Sequence, residues 1–248
     1  MTPEFGIIVM LDALGASEFG ITQAMEFIKR RDNLLSYLSE HQKSLHDKIP
    51  DATQPSVATF GDTLVVSWPT GEEGVMKMLP GIAEWLRPAI RWGLAHGILL
   101  RGCVSYGEYI ADGATILGPA IADAARWYEV ADWFGVILTP KCQMRLISLI
   151  ESAKLDPVKK NITFEQWFVQ YAVPLKDAKK DFWVISWPYD IWATDDGKVI
   201  TPLGVLSTCL WDLPIPKGTE SKYENTIDFF NWYGHTIYPR IIKKKRKK

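Results

Sequence analysis

The chain has 248 residues, 47% of them hydrophobic and 23% charged, with eleven Trp, the make-up of a folded protein with a substantial core and not of a disordered one. Its net charge of −1 conceals an asymmetry: residues 243–248 are all Lys or Arg, leaving a body of 22 basic and 29 acidic residues at a net of −7, which argues against a broad nucleic-acid groove. Cys103, Cys142 and Cys209 contain no Cys-x-x-Cys pair and are too scattered for a disulfide framework or a zinc site, and no apolar run approaches the length of a membrane span. The start of the chain does not look like a leader, so a cytoplasmic protein with no membrane span is expected.

In chain order, Gly6-Ile7-Ile8-Val9-Met10-Leu11 is a continuous aliphatic run of the kind found in a strand buried on both faces, and it stops at Asp12. A carboxylate there is costly unless it faces solvent or holds a partner. The small residues Ala13, Leu14, Gly15, Ala16 and Ser17 follow, with Ser17 placed as a helix cap, and apolar residues at helical spacing predict a long amphipathic helix over 18–47. Val57 to Trp68 reads as two short strands meeting at Gly61-Asp62, and Gly at the first central position fits a type II′ hairpin with the Asp62 carboxylate at the tip. A helical region over 72–96 is interrupted by Pro80 and Pro88, which predicts a kink or two pieces.

A strand is expected from Ile98 to Gly107, then a short excursion back through Ile116-Leu117. Gly118-Pro119 opens a helix to about residue 132, Val136 to Leu138 is a brief strand, and Thr139-Pro140 starts another helix. Farther on, a helix is expected over 164–170, strands over 171–175 and 182–187, and a last amphipathic helix over 223–242, with the basic tail disordered. The order strand, helix, hairpin, helix, strand is the split βαβ arrangement of an α+β, ferredoxin-like βαββαβ core, in which Asp12 and the hairpin tip lie on adjacent strands. Two neighbouring carboxylates repel unless a cation separates them, and hard oxygen ligands with no His or Cys nearby favour Mg²⁺ or Mn²⁺, hence phosphate chemistry.

These residues resemble the catalytic domain of class III nucleotidyl cyclases. Leu11-Asp12-Ala13-Leu14-Gly15-Ala16-Ser17 is similar to that family's first metal motif, and Phe60-Gly61-Asp62 to its hairpin with the second metal aspartate. Leu100-Arg101-Gly102-Cys103-Val104-Ser105-Tyr106-Gly107-Glu108 followed by Leu117-Gly118-Pro119-Ala120-Ile121-Ala122-Asp123-Ala124-Ala125-Arg126 resembles its strand and transition-state helix. The resemblance covers about residues 5–190 and implies a cyclase core over 1–190, a packed C-terminal α/β extension over 191–242, and the tail at 243–248. The sequence departs from the purine enzymes in three places: Ala58 stands where they carry a Lys, Thr115 where they carry a base-selecting Asp or Cys, and Ala122 where they carry a ribose-orienting Asn. With Trp127-Tyr128 ahead of Ala131-Asp132-Trp133, and Val173-Pro174-Leu175-Lys176 leading to Ile185-Ser186-Trp187-Pro188, the chain looks like the pyrimidine cyclases of bacterial Pycsar antiphage systems.

That resemblance implies conversion of UTP, with CTP as the alternative, to a cyclic nucleotide and pyrophosphate, the product being an alarm signal sensed by a separate effector. Asp12 and Asp62 would hold two Mg²⁺ or Mn²⁺ ions, the backbone of Ala13, Leu14, Gly15, Ala16 and Ser17 would receive phosphates, and Arg126 would neutralise the α-phosphate. Lys176 is a further phosphate candidate. Ala58, Thr59, Arg101 and Thr115 line the substrate side, with Thr59 or Thr115 able to serve either pyrimidine edge and Arg101 either touching the base or joining the dimer. A homodimer with shared sites is implied, the arginine coming from the second copy. Two alternatives stand beside this: a catalytically silent cyclase-like nucleotide-binding module, motivated by Ala122 and the absent base-selecting pair, and a polymerase-type palm, which the acidic body disfavours.

Overall fold

β1 (Glu4–Ala13) runs through the middle of the sheet, and Ile7, Ile8, Val9 and Leu11 are wholly buried, as expected of a strand covered on both faces. The computed structural model describes residues 2–14, 19–48, 54–113, 115–155, 164–193, 202–211, 215 and 218–245. α1 (Ile21–Lys48) leads to the hairpin of β2 (Ser56–Phe60) and β3 (Thr63–Pro69), then α2 (Gly71–Ala95) leads to β4 (Leu100–Asp112). β1 pairs antiparallel with both β3 and β4, so these strands lie in the order β2-β3-β1-β4, the ferredoxin-like arrangement anticipated from the sequence. The fold is α+β.

The sheet continues past β4. β5 (Thr115–Leu117) folds back on the far end of β4, α3 (Pro119–Trp127) crosses one face, and β6 (Gly135–Leu138) pairs parallel to β4, which makes the sheet mixed. α4 (Pro140–Leu155) then precedes the antiparallel pair β7 (Phe168–Pro174) and β8 (Lys179–Ile185), with β8 against β6. Alternation along β4 divides the two faces: Cys103 and Ser105 bond to α3 through Ala124 and Asp123, while Tyr106 meets Arg145 of α4. Arg101, in phase with Cys103, is on the α3 face.

Several elements differ from the sequence expectation for identifiable reasons. α2 runs unbroken through Pro80 and Pro88. A proline leaves the carbonyl four residues earlier without a helical donor; for Pro88 this is the Glu84 carbonyl, which instead accepts from His41 Nε2 of α1 at 3.3 Å. α3 stops at Trp127, short of residue 132, because the chain turns back so that Ala131 bridges to Leu175. The helix expected over 164–170 is a single 3-10 turn, Phe164–Gln166, since pairing with β8 claims the chain from Phe168 onward.

Beyond the sheet the described residues are helical: α5 (Pro188–Ala193), α6 (Pro202–Trp211) and α7 (Glu220–Trp232), the last continuing through a π-turn at Tyr233–Ile237 into α8 (Tyr238–Lys245). α5 and α6 were not legible among the Gly, Pro and Asp residues around them. α7 is fixed by Phe229 and Phe230, which pack on Trp133, Tyr171, Trp187 and Trp192. Of the basic tail, Lys243–Lys245 belong to α8, and Lys244 Nζ lies 2.8 Å from Glu165 Oε1. Residues 246–248 lie outside the described residues. Among those described, no helix is long and apolar enough to cross a membrane.

The β1–β4 contact is too close for a side chain at Gly102, where an added Cβ would stand 2.1 Å from the Met10 carbonyl oxygen. Gly102→Ala is therefore expected to destabilise the protein by about 2 kcal/mol, a fall in melting temperature of roughly 5 °C at this chain length. Calorimetry of the two proteins checks this, and equal melting temperatures would contradict so close a ladder.

Candidate active site

Asp12 ends β1, directly opposite Thr63 of β3 on one side and Arg101 of β4 on the other. It is only 8% exposed. The partner that such a carboxylate requires is Arg101, whose Nε and Nη2 donate to Asp12 Oδ2 at 3.0 and 2.9 Å. The guanidinium has a second anchor, because its Nη1 donates to the Glu129 carbonyl at 3.2 Å and its Nη2 lies 4.0 Å from Glu129 Oε2. Burial pushes the Asp12 carboxyl above its ordinary value; the hydrogen bonds and charge of Arg101 oppose this, and the negative charges of Asp62 and Glu129 add to it.

Asp62 reaches the same place from the hairpin. Gly61 has φ +59° and no non-Gly residue among those described, Asp62 included, has a positive φ, which matches the type II′ turn expected from Gly61-Asp62. The Asp62 carbonyl accepts from Ala13 N at 3.3 Å, tying the tip to the end of β1. Phe60 beside it is 86% exposed. Asp62 thus sits in the turn leading into β3, next to β1, and its charge helps to raise the Asp12 carboxyl.

Other groups at this end of the sheet were not anticipated. The Tyr128 hydroxyl is pushed up to about 12, first by its hydrogen bond to Glu129 and then by burial, with the Thr63 hydroxyl pulling the other way. Lys222 comes in from α7: burial and the positive charges of Arg101 and Lys176 lower its pKa, while Asp132 and Asp12 raise it. Its helix is held there by Asn225 Nδ2, which donates to the Asp132 carbonyl at 2.7 Å, and by Thr226 Oγ1, which accepts from Phe134 N at 2.8 Å. No periodicity or spacing in the sequence links Lys222 to Asp12; only the docking of α7 does.

The amides of Ala13 and Leu14 donate to Asp62 O at 3.3 Å and Leu99 O at 2.9 Å, which ties these two residues to the neighbouring strands. Gly15, Ala16 and Ser17 lie outside the described residues. Ala58 and Thr59 are on β2 beside the hairpin tip, paired with Val65 and Leu64. Thr115 pairs with Asp112 at the opposite end of β4 from Arg101, a separation on the order of 30 Å along an extended strand. Arg126 is exposed in the last turn of α3 and makes no hydrogen bond or ion pair among the described residues, while Lys176 is exposed just past β7. Arg101 is held by Asp12 and Glu129.

No protein-family model matches the chain, and a search of curated proteins finds none that matches. Among solved structures, the chain is similar to the catalytic core of a rhodopsin-guanylyl cyclase with converted specificity in complex with ATPαS, at 14% identity and TM-score 0.45, covering 74% of this chain and 97% of that one. It is also similar to the guanylate cyclase domain of the rhodopsin-guanylyl cyclase from Catenaria anguillulae in complex with GTP, at 13% identity and TM-score 0.43, covering 74% and 98%. A bacterial light-regulated adenylyl cyclase is similar at 12% identity and TM-score 0.43, covering 86% of this chain and 58% of that one.

The Tyr128–Glu129 contact has a direct spectroscopic consequence. Glu129→Gln should return the Tyr128 phenol from about 12 toward its ordinary value near 10, read as the difference in alkaline absorbance titration between each protein and its Tyr128→Phe counterpart. Because the folded value is raised, the stability that Tyr128 contributes is fully present below the ordinary phenol range and lost as pH climbs through the raised one. An unchanged Tyr128 titration in Glu129→Gln would show that the carboxylate is not its partner.

Proposed function

We propose that this chain is a pyrimidine nucleotide cyclase that converts UTP to 3′,5′-cyclic UMP and pyrophosphate, as a second-messenger signal in bacterial antiviral defence. The observation that carries it is the meeting of Asp12 and Asp62 at one end of the sheet, fixed by the Asp12–Thr63 register and by the bond from Ala13 N to Asp62 O. The sequence blocks around Asp12, Asp62 and Arg126 support it, since they resemble the cyclase motifs in order and spacing.

Two hard carboxylates suit Mg²⁺ or Mn²⁺ chemically, although no group of three His, Cys, Asp or Glu side chains that could hold a metal ion is present among the described residues. Such a site is completed by substrate phosphates and water. When bound, the ions would supply an activated ribose 3′-hydroxyl and a neutralised triphosphate for in-line displacement at the α-phosphorus. From this chain, Asp12 and Asp62 would hold them, Arg126 would take up charge at the α-phosphate, and Lys176 would meet the outer phosphates. Ala58 removes the cation that purine enzymes carry beside the hairpin, and the hydroxyls of Thr59 or Thr115 are the candidates for the pyrimidine edge.

A homodimer in which Arg126 of a second copy completes each site agrees with the exposure of Arg126 at the end of α3. The engagement of Asp12 by Arg101 favours one alternative, a cyclase-like module that binds nucleotide without turnover.

Incubating the purified protein with each of the four nucleoside triphosphates and Mn²⁺ separates the two. Cyclic UMP is the expected product, with cyclic CMP the alternative when UTP and CTP compete, and no cyclic product from any of the four would refute the enzyme. Asp62→Ala should abolish product, and Arg126→Ala should lower kcat by roughly 10²–10³-fold, both with the dimer intact by light scattering.

A further inference from the structure

We propose that Arg101 and a divalent cation compete for the Asp12 carboxylate, so that metal binding at Asp12 requires the Arg101 guanidinium to turn away. This rests on the two-carboxylate metal site proposed above and adds to it a residue that sets the metal affinity. The geometry of the pair is the starting point. A guanidinium facing a carboxylate in fork-to-fork fashion puts one N–H on each oxygen. Here Nε and Nη2 both go to Oδ2, at 3.0 and 2.9 Å, so the pair is concentrated on a single oxygen.

The pairing is imposed by the sheet and not by a flexible surface encounter. Arg101 sits directly across the β1–β4 ladder from Asp12, and both side chains are largely buried, at 13% and 11% exposure. A carboxylate in such a place needs a cation at all times, because leaving one partner of a buried pair uncompensated costs several kcal/mol. A metal ion on either oxygen of this carboxylate would be repelled at short range by a guanidinium bonded to Oδ2, so the two alternate. Glu129 makes the exchange feasible without expelling Arg101: its carbonyl holds Nη1 at 3.2 Å and its carboxylate stands 4.0 Å from Nη2, a second acidic partner already in place. The guanidinium would thus stay in the site after release.

The test uses the full chain without nucleotide, so that turnover plays no part. Mn²⁺ binding is followed by the electron paramagnetic resonance of the free ion in wild type, Arg101→Gln and Asp12→Asn, with thermal melts to establish folding. Arg101→Gln should bind Mn²⁺ about tenfold more tightly, the size of effect that one adjacent charge exerts on a carboxylate. In parallel, the Arg101 Nε–H resonance of ¹⁵N-arginine-labelled wild type, titrated with diamagnetic Mg²⁺, should shift and lose its protection from solvent exchange as the metal saturates. Equal or weaker Mn²⁺ binding by a folded Arg101→Gln, or an Nε–H signal unmoved at saturating Mg²⁺, would overturn the competition. The nuclear resonance measurement stands on the wild type alone, so it decides even where the variant does not fold. Unchanged Mn²⁺ binding in Asp12→Asn would instead remove Asp12 from the metal site, and the proposed function would fail separately from the role of Arg101.

Discussion

β1 is bonded along both edges, and its register with β3 and β4 decides which side chains meet at the end of the sheet. Residues opposite one another across an antiparallel ladder project from the same face, so placing Asp12 opposite both Thr63 and Arg101 leaves little freedom in what surrounds the carboxylate. A slip of one residue would send Asp12 to the α2 face, away from Arg101. The run from Ile7 to Leu11 is covered on both faces, by α2 on one side and α3 on the other, so its aliphatic side chains would be buried in either register and the polar residues at the strand end distinguish the two.

Once Asp12 is fixed, the charges nearby follow from the cost of burying it. Burial pushes the Asp12 carboxyl toward its neutral form, and the hydrogen bonds and charge of Arg101 oppose this. The guanidinium in turn draws Glu129, and Glu129 holds the Tyr128 hydroxyl, so one buried carboxylate organises a chain of polar groups running from β1 through β4 to the end of α3. α7 closes over the same region by bonding to Asp132 and Phe134, which brings Lys222 toward Arg101. The C-terminal helices thus do more than cover apolar surface: they add a cation beside a site already containing one.

The sheet was legible where a strong local pattern coincided with the tertiary result. The apolar run before Asp12, the Gly61-Asp62 turn and the proline-led starts of α3 and α4 each name their own structure, and the ferredoxin-like order followed from their sequence. What could not be read was set by contacts between distant residues. His41 satisfies the carbonyl that Pro88 orphans in α2, so a sequence that signals a break folds as a continuous helix. Strand pairing with β8 overrides the helical pattern after Phe164. In the site, the need of Asp12 for a partner was evident from burial cost, but Arg101 could be identified as that partner only once the β1–β4 register was known, and the bonds from the amides of Ala13 and Leu14 only once their acceptors at Asp62 and Leu99 were in place.

The length of β4 bears on how a complete site could be assembled. Arg101 stands at its beginning and Asp112, the partner of Thr115, at its end, so a residue on β5 cannot reach Asp12 of its own chain across a span on the order of 30 Å. Arg126, at the opposite end of α3 from β5, is exposed. If Thr115 acts on a substrate held by Asp12 and Asp62, it comes from elsewhere, and the economical source is a second copy related by a twofold axis, which could present its Arg126 as well. Such an axis places equivalent ends of two sheets against each other twice, so a single interface would create two equal sites. Each would then have its carboxylates and Arg101 from one chain and its Arg126 from the other, which separates the cation that competes for the metal site from the cation that serves the phosphate.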